Sequence, residues 1–233
     1  MDRTRRAEAA LGQCDVVVGY ARYLDAIADL TAGKELIRSG MREEVSRVRA
    51  ALQQAAAGRT VGLVSSGDPG IYGMAGLALE LAHAMRLDLP VEIVPGMTAA
   101  SAAAAALGAP LMTDFAVISL SDLLVARAQI VKRLAAAARA GLVTVLYNPR
   151  SRARTELLRQ AIGIFRRCRP DRTPVGIVGN AGEAGQRVAL TDLAHFDETA
   201  VDMRTIVVIG NAQTRKLAGR MVTRRGYDVA DKA

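Results

Sequence analysis

The sequence predicts an α/β fold in two lobes, with a mostly parallel sheet in the N-terminal lobe and a mixed sheet in the C-terminal lobe. The 233 residues are 51% hydrophobic, which is enough to build one large domain or two small ones. Aromatic residues make up only 3%, so the cores must consist of Ala, Val, Leu and Ile, as in packed helices and parallel strands. Strand and helix patterns alternate along the chain, and this order favours a sheet that is covered by helices on both faces.

In the first half, short apolar runs that are typical of buried strands alternate with helical patterns. We predict strands at 15–20, 59–66 and 91–95, and helices at 3–13, 20–30, 41–57, 74–85 and 98–108. In the helix at 41–57, Met41, Val45, Val48 and Leu52 form an apolar stripe, and Arg47 is expected on the solvated face.

The second half keeps the alternation but ends in strands that can pair antiparallel. We predict strands at 114–120, 142–149, 173–180, 186–193 and 204–210, and helices at 123–140, 152–167 and 214–221. We place the two lobes at 1–112 and 113–233, with a cleft between them.

The composition limits the class of function. A net charge of +8 allows a polyanionic partner such as nucleic acid, a membrane surface or an acidic small molecule. Cys14 and Cys168 are isolated, and neither His83 nor His195 has ligand-type neighbours, so we expect neither a metal site nor a disulfide. The charged N-terminus is unlike a signal peptide, and prolines interrupt the long uncharged segment at 93–113, so we expect a cytoplasmic protein without a membrane span.

The stretch "SSGDPGIYG", which follows a predicted strand, has the composition of a ligand-binding turn. Gly67 and Gly70 allow positive φ and close backbone approach, and Pro69 stiffens the turn. Asp68 would repel a phosphate, so a cationic or neutral polar ligand such as S-adenosylmethionine fits better. An ordinary turn is the alternative.

The stretch "PGMTAAS" follows the next predicted strand and begins an Ala-rich helix. The hydroxyl of Thr98 can cap this helix, and the small side chains after it let a flat ligand such as adenine lie close. A buried Ala-rich helix with high helical propensity is the alternative.

Two further loops carry polar groups. In "SLSD", Ser121 and Asp122 could serve proton transfer, although helix capping explains them as well. In "YNPRSRAR", the arginines 150, 152 and 154 could hold several carboxylates, or could form a solvated basic helix start.

Together these loops, in this order, resemble the tetrapyrrole (corrin/porphyrin) methylase family, over roughly residues 4–227. The resemblance implies a class III, two-lobed α/β methyltransferase that uses S-adenosylmethionine and works as a homodimer. Carried over by position, the cofactor contacts would be Ser66, Gly67, Asp68, Ile71, Tyr72, Thr98, Ala99, Tyr147, Asn148 and Ala181.

"SLSDLL" and "YNPRSR" are most similar to the subgroup that methylates precorrin-3B at carbon 17, with ring contraction to precorrin-4. We hypothesise that Ser121 or Asp122 assists the proton movements and that Arg150 and Arg152 hold peripheral carboxylates of the substrate. The alternatives are a cobalt-bearing substrate, a tetrapyrrole-binding relative without activity and, within the same fold, an RNA ribose methylase. The expected partners are a tetrapyrrole polycarboxylate and a second copy, with neither nucleic acid nor a membrane.

The family pattern normally begins with a strand and a Gly-x-Gly-Pro-Gly loop, whereas this sequence begins at the helix that would follow them. Either the start is assigned too late, or an edge of the site is missing.

Overall fold

The chain divides after Thr98 into two units, Met1–Thr98 and Ala99–Ala233. A computed structural model describes residues 2–151 and 154–228 of this chain. The division lies before the predicted boundary at residue 112, because the Ala-rich helix and the segment after it pack within the second unit.

The first unit contains a three-stranded parallel sheet in the order β2-β1-β3. Its strands are β1 (Val16–Tyr20), β2 (Glu35–Ser39) and β3 (Val61–Val64), and its helices are α1 (Arg5–Gly12), α2 (Ala21–Asp25), α3 (Glu44–Ala56) and α4 (Ala75–Ala84). Three consecutive valines of the central strand β1 are fully buried, since both faces of the sheet are covered. The hydroxyl of Thr4 caps α1 by accepting a hydrogen bond from the backbone N–H of Ala7 at 3.1 Å.

The second unit contains a five-stranded mixed sheet in the order β5-β6-β9-β7-β8 and a small sheet in the order β10-β11-β4. The helices are α5 (Ala99–Leu107), α6 (Arg127–Arg139) and α7 (Glu156–Cys168). The strands are β4 (Gly108–Ala109), β5 (Phe115–Ser119), β6 (Val143–Tyr147), β7 (Pro174–Gly179), β8 (Arg187–Asp192), β9 (Thr205–Ile209), β10 (Thr214–Leu217) and β11 (Arg220–Thr223). Strands β5 and β6 are parallel, whereas β9 pairs antiparallel with both β6 and β7.

Helices cover both faces of the larger sheet. Val143, Val145 and Tyr147 alternate along β6 and pack with α5, whereas Leu146 points to the opposite face and packs with α6 and α7. The approach of α5 is close, because a Cβ atom at Gly176 of β7 would overlap the side chain of Leu107. The predicted fold class, with its mostly parallel first sheet and mixed second sheet, is confirmed.

Several predicted elements were wrong. The stretch 91–95 forms no strand, and it lies next to Pro90 and ends at Pro95, which cannot donate to a sheet. The helix predicted at 214–221 is the hairpin of β10 and β11, whose two turn residues, Ala218 and Gly219, have φ of 46° and 76°. The helix predicted at 20–30 is the short α2 followed by a 3₁₀ turn, and the helix predicted from residue 123 begins at Arg127.

The prediction that Arg47 lies on a solvated face was also wrong. Its side chain is buried at the carboxyl end of the first sheet, where Nε donates to the Ser39 hydroxyl at 2.5 Å and Nη2 to the Gly40 carbonyl at 2.6 Å. These acceptors satisfy the guanidinium, so the long side chain can be buried. The edge strand β2 was not predicted from the sequence. Its apolar residues, Leu36 and Ile37, lie between the exposed, charged Glu35 and Arg38, so no apolar run marks the strand.

Candidate functional site

In the first unit, two side chains of the loop at 65–74 accept hydrogen bonds from backbone N–H groups. One oxygen of the Asp68 carboxylate accepts the N–H of Gly70 at 2.8 Å, and the other accepts the N–H of Gly96 at 3.0 Å. The Ser65 hydroxyl accepts the N–H of Met74 at 3.1 Å, just before α4. The carboxylate of Asp68 therefore joins the two predicted cofactor loops of this unit.

Glycine is required where these two loops meet. Gly67 has φ of 71°, and a Cβ atom on Gly96 would overlap the carbonyl oxygen of Gly67. Gly73 is equally close to the backbone, because a Cβ atom there would lie 2.6 Å from the Pro69 carbonyl oxygen. Backbone therefore packs closely against backbone at these glycines, while Ile71 and Tyr72 are 40% and 56% exposed.

The residues of this loop fit a cationic methyl donor. Between Ser65 and Met74 the sequence contains one carboxylate and neither Lys nor Arg, and residues 93–98 contain no charged side chain. A sulfonium would meet no repelling charge from these segments, whereas a phosphate would meet Asp68 and no cation from them. Ser66 lies beside Gly67 in the first loop, and Thr98 immediately precedes α5.

In the second unit, Tyr147 and Asn148 follow one another where β6 ends. The buried hydroxyl of Tyr147 accepts the N–H of Ala100 at 2.7 Å, so it satisfies one of the N-terminal donors of α5, which begins at Ala99. Asn148 has φ of 48°, and its side-chain amide donates to the Ser119 hydroxyl at 3.1 Å. These hydrogen bonds fix the positions of Tyr147 and Asn148, the two residues here that were predicted to contact the cofactor.

Ser121 and Asp122 lie at the same edge, because β5 and β6 are parallel neighbours that pair Ser119 with Tyr147. The N–H of Ser121 donates to the Ser119 hydroxyl at 3.2 Å. The segment 121–126 is irregular, and Leu123 and Leu124 are 70% and 99% exposed. Two polar side chains and an exposed apolar pair thus follow strand β5.

Arg150 and Arg154 are both engaged by the protein. Arg150 donates to the Glu198 carbonyl at 2.6 Å and lines a cleft of about 420 Å³. Arg154 donates to the Asn148 carbonyl at 3.0 Å and to the Ser121 hydroxyl at 3.4 Å. Arg152, predicted to bind substrate, lies outside the described residues.

Ala181 follows β7 in a tight turn of the second unit. The preceding residue, Asn180, has φ of 52° and donates from its side chain to the Gly185 carbonyl at 3.2 Å. Ala181 itself packs against the cluster that contains α5 and Tyr147.

The structure brings Ser121, Asp122 and Asn148 together around Arg154, a role for Arg154 that the sequence did not single out. The alternate spacing of the arginines was visible in the sequence, but only the fold places Arg154 against Ser121 and Asp122, which are 33 and 32 positions away.

Asp202, which lines the same cleft as Arg150, has a lowered pKa. Burial alone would raise this pKa, but hydrogen bonds from the Thr205 hydroxyl at 2.8 Å, the Arg204 N–H at 2.8 Å and the Arg187 guanidinium at 3.1 Å outweigh it. A depressed carboxyl pKa stabilises the folded chain above the ordinary value of 3.8, and this contribution is lost as pH falls through the lower folded value.

We therefore expect Asp202→Asn to lower the melting temperature near neutral pH and to have little effect in strong acid. The check is thermal unfolding of both proteins from about pH 6 to about pH 2. An equal difference in melting temperature at every pH would contradict this assignment.

Among the helices in residues 2–151 and 154–228, none combines the length and the hydropathy that a membrane span requires. The same described residues contain no group of three or more His, Cys, Asp or Glu side chains that could hold a metal ion.

Residues 2–197 match the family described as Tetrapyrrole (Corrin/Porphyrin) Methylases, and the chain belongs to this family. It is 46% identical over 224 residues to a probable cobalt-factor III C(17)-methyltransferase of Salmonella typhimurium, covering 96% of this chain and 93% of that protein. It is 47% identical over 228 residues to a protein of the same name from Methanothermobacter thermautotrophicus, covering 98% of this chain but 64% of that protein. A precorrin-3B C(17)-methyltransferase of Sinorhizobium sp is 40% identical over 215 residues, covering 91% of this chain and 84% of that protein.

Solved structures of other methyltransferases have a similar fold. The crystal structure of the methyltransferase CobJ aligns with a TM-score of 0.90 at 36% identity, covering 95% of this chain and 93% of that one. The uroporphyrin-III C-methyl transferase of Thermus thermophilus, solved with S-adenosyl homocysteine, shares the fold with a TM-score of 0.65 at 23% identity, covering 89% and 90% of the two chains. The predicted resemblance to the tetrapyrrole methylases is therefore confirmed.

Proposed function

We propose that the chain transfers a methyl group from S-adenosylmethionine to carbon 17 of a precorrin-3B-type tetrapyrrole, with ring contraction, in cobalamin biosynthesis. The observation that carries the proposal is identity of 40–47% to proteins named C(17)-methyltransferases across at least 91% of this chain. We also propose that the chain works as a homodimer in the cytoplasm.

The loop at 65–74 supports the choice of methyl donor. It offers a turn of fixed geometry, in which the backbone of Gly67 packs against that of Gly96, together with the exposed apolar side chain of Ile71 and a single carboxylate. S-adenosylmethionine supplies a methyl group that is already activated by its sulfonium, so the protein needs to align the reactants and exclude water rather than provide a nucleophile. Contacts from Tyr147, Asn148 and Ala181 to the donor stay predictions.

Ser121 and Asp122 are our candidates for holding and moving a proton during ring contraction. Both lie on the loop after β5, within reach of the cation of Arg154. Arg150 is our candidate for a peripheral carboxylate of the substrate. Its bond to the Glu198 carbonyl uses one of five N–H donors of the guanidinium, which leaves capacity for a ligand. The same role for Arg152 stays a prediction.

Cobalt-factor III is the second candidate substrate. The Salmonella typhimurium relative named for it is 46% identical, against 40% for the Sinorhizobium sp relative named for precorrin-3B. Both relatives are named for methylation at the same position, C(17).

The test is methyl transfer by the purified chain to precorrin-3B and to cobalt-factor III, compared with two variants. We expect Asp122→Asn to lower kcat by about 100-fold, as loss of a general acid or base does. We expect Arg150→Ala to raise KM by about tenfold, as loss of a charged hydrogen bond does. An unchanged kcat in Asp122→Asn and an unchanged KM in Arg150→Ala would contradict the roles assigned to these two residues.

An inactive tetrapyrrole-binding relative is distinguished by calorimetric titration with S-adenosylhomocysteine. A working donor site gives a saturable binding heat. No heat with S-adenosylhomocysteine, together with binding of the tetrapyrrole, would favour the inactive binder.

A further inference from the structure

Arg154 connects the two loops that follow the parallel strands β5 and β6. Its Nη2 donates to the carbonyl of Asn148 at 3.0 Å, while its Nη1 lies 3.4 Å from the Ser121 hydroxyl and 3.9 Å from a carboxylate oxygen of Asp122. The side chain of Arg154 is only 14% exposed, whereas that of Asp122 is 35% exposed, so the guanidinium is largely shielded from water and the carboxylate is partly open to it. The two ends of one guanidinium thus reach two different loops.

We propose that Arg154 is a positioning residue, which holds the proton-transfer loop and the Asn148 turn in one fixed geometry. The inference rests on the proposed function and deepens it, because it names what aligns Ser121 and Asp122 for the reaction.

The turn at Asn148 needs such support. Its φ of 48° is in the left-handed region, which is unfavourable for residues other than glycine, although Asn tolerates it better than most. Among the described residues, Arg154 donates to the carbonyl of Asn148, and the side chain of Asn148 donates to the Ser119 hydroxyl. Removing Arg154 removes the first of these bonds.

The loop after β5, residues 121–126, also depends on Arg154 for its position. These residues have no regular structure. Val125 packs against the core of the second unit, but Leu123 and Leu124 are 70% and 99% exposed, so packing contributes little to the position of residues 121–124. The N–H of Ser121 bonds to Ser119 at the end of β5, directly before the loop, whereas Arg154 reaches the loop from the segment that precedes α7. Asp122 is therefore located by a cation on a separate segment.

The backbone of Arg154 is itself fixed. Its N–H donates to the Ser151 carbonyl and, at 3.1 Å, to the Ser151 hydroxyl, and its carbonyl accepts the Ser151 N–H at 2.9 Å. The planar guanidinium can donate in two directions from this anchor. A lysine carries the same charge at a single point, so it can satisfy only one of the two loops at a time.

The experiment compares Arg154→Met and Arg154→Lys with the wild-type chain, and uses Arg166→Met as the matched control. Arg166 is an exposed arginine of α7 that pairs with Asp171. We expect Arg154→Met to lower kcat per folded molecule by about 10- to 100-fold, because small misplacements of reacting groups have effects of this size. Arg154→Lys should recover part of the loss, and Arg166→Met should match wild type.

Two further measurements separate positioning from a merely structural role. In an Asp122→Asn background, Arg154→Met should lower kcat by a smaller factor than it does alone, because the two residues act as one unit. Amide hydrogen exchange in segment 119–126 should be faster in Arg154→Met than in wild type or Arg166→Met. A lower melting temperature with unchanged kcat per folded molecule and unchanged exchange would overturn the inference.

Failure of the proposed function is recognised separately. If the wild-type chain methylates neither tetrapyrrole, the proposed function fails, and hydrogen exchange in the same variants still decides whether Arg154 fixes the loop.

Discussion

Replacing Gly96 with Ala is expected to abolish measurable binding of S-adenosylhomocysteine and to lower the free energy of unfolding by about 3 kcal/mol. The added methyl group would overlap the carbonyl oxygen of Gly67, which is a backbone atom and cannot rotate away. The loops would have to separate, and the bond from the Gly96 N–H to the Asp68 carboxylate would break. Calorimetry and chemical denaturation measure the two effects.

Gly76→Ala is the matched control for this substitution. Gly76 lies in the first turn of α4, and a Cβ atom there would meet nothing within 4 Å. We expect unchanged ligand binding and stability that is equal or higher by up to about 1 kcal/mol, because Ala is the better helix former. Wild-type binding by Gly96→Ala would show that the contact between the two loops does not shape the donor site.

Replacing Arg169 with Met is expected to lower the free energy of unfolding by about 3 kcal/mol. Arg169 is buried in the second unit and donates to the carbonyls of Gly210, Ala137 and Leu142, the last at 2.7 Å. Its guanidinium also lies 4.6 Å from the ring centre of Phe165. Burial lowers the pKa of Arg169 to about 10, so the group is still charged at neutral pH and its hydrogen bonds are charge-assisted.

This effect is measured by urea unfolding, with Arg166→Met as an exposed control that should change the stability by about 0.5 kcal/mol or less. Arg169→Lys should fall between Met and wild type, since one ammonium cannot reach three carbonyls. Equal stabilities of Arg169→Met and wild type would mean that the carbonyls find other donors.

Patterns of buried residues predicted most of the fold, because these residues report directly on packing. The valine run of β1 and the alternating residues of β6 are buried on both faces, as their composition indicates. The hairpin of β10 and β11 was missed because Leu217 and its neighbours fit a helical pattern, whereas the turn at Ala218 and Gly219 decides the structure. The stretch 91–95 has strand composition, but no strand partner is found for it among the described residues.

The sequence identified the loops of the candidate site, but not what holds them. Asp68 was predicted to favour a cationic ligand, and in the structure its carboxylate also joins two loops through backbone N–H groups. In the sequence, Arg47 looks like a surface arginine, and Arg154 looks like a carboxylate-binding or solvated one, since their acceptors lie elsewhere in the chain. Long-range hydrogen bonds of this kind depend on the fold and leave no local pattern.

The most direct test of the account uses S-adenosylmethionine that carries an isotopically labelled methyl group. The purified chain is incubated with this donor and either precorrin-3B or cobalt-factor III, and the product is examined by mass spectrometry and NMR. The account predicts one labelled methyl group per macrocycle, attached at carbon 17 of a contracted ring. A product labelled at another carbon, or an active donor site that leaves both tetrapyrroles unlabelled, would contradict it.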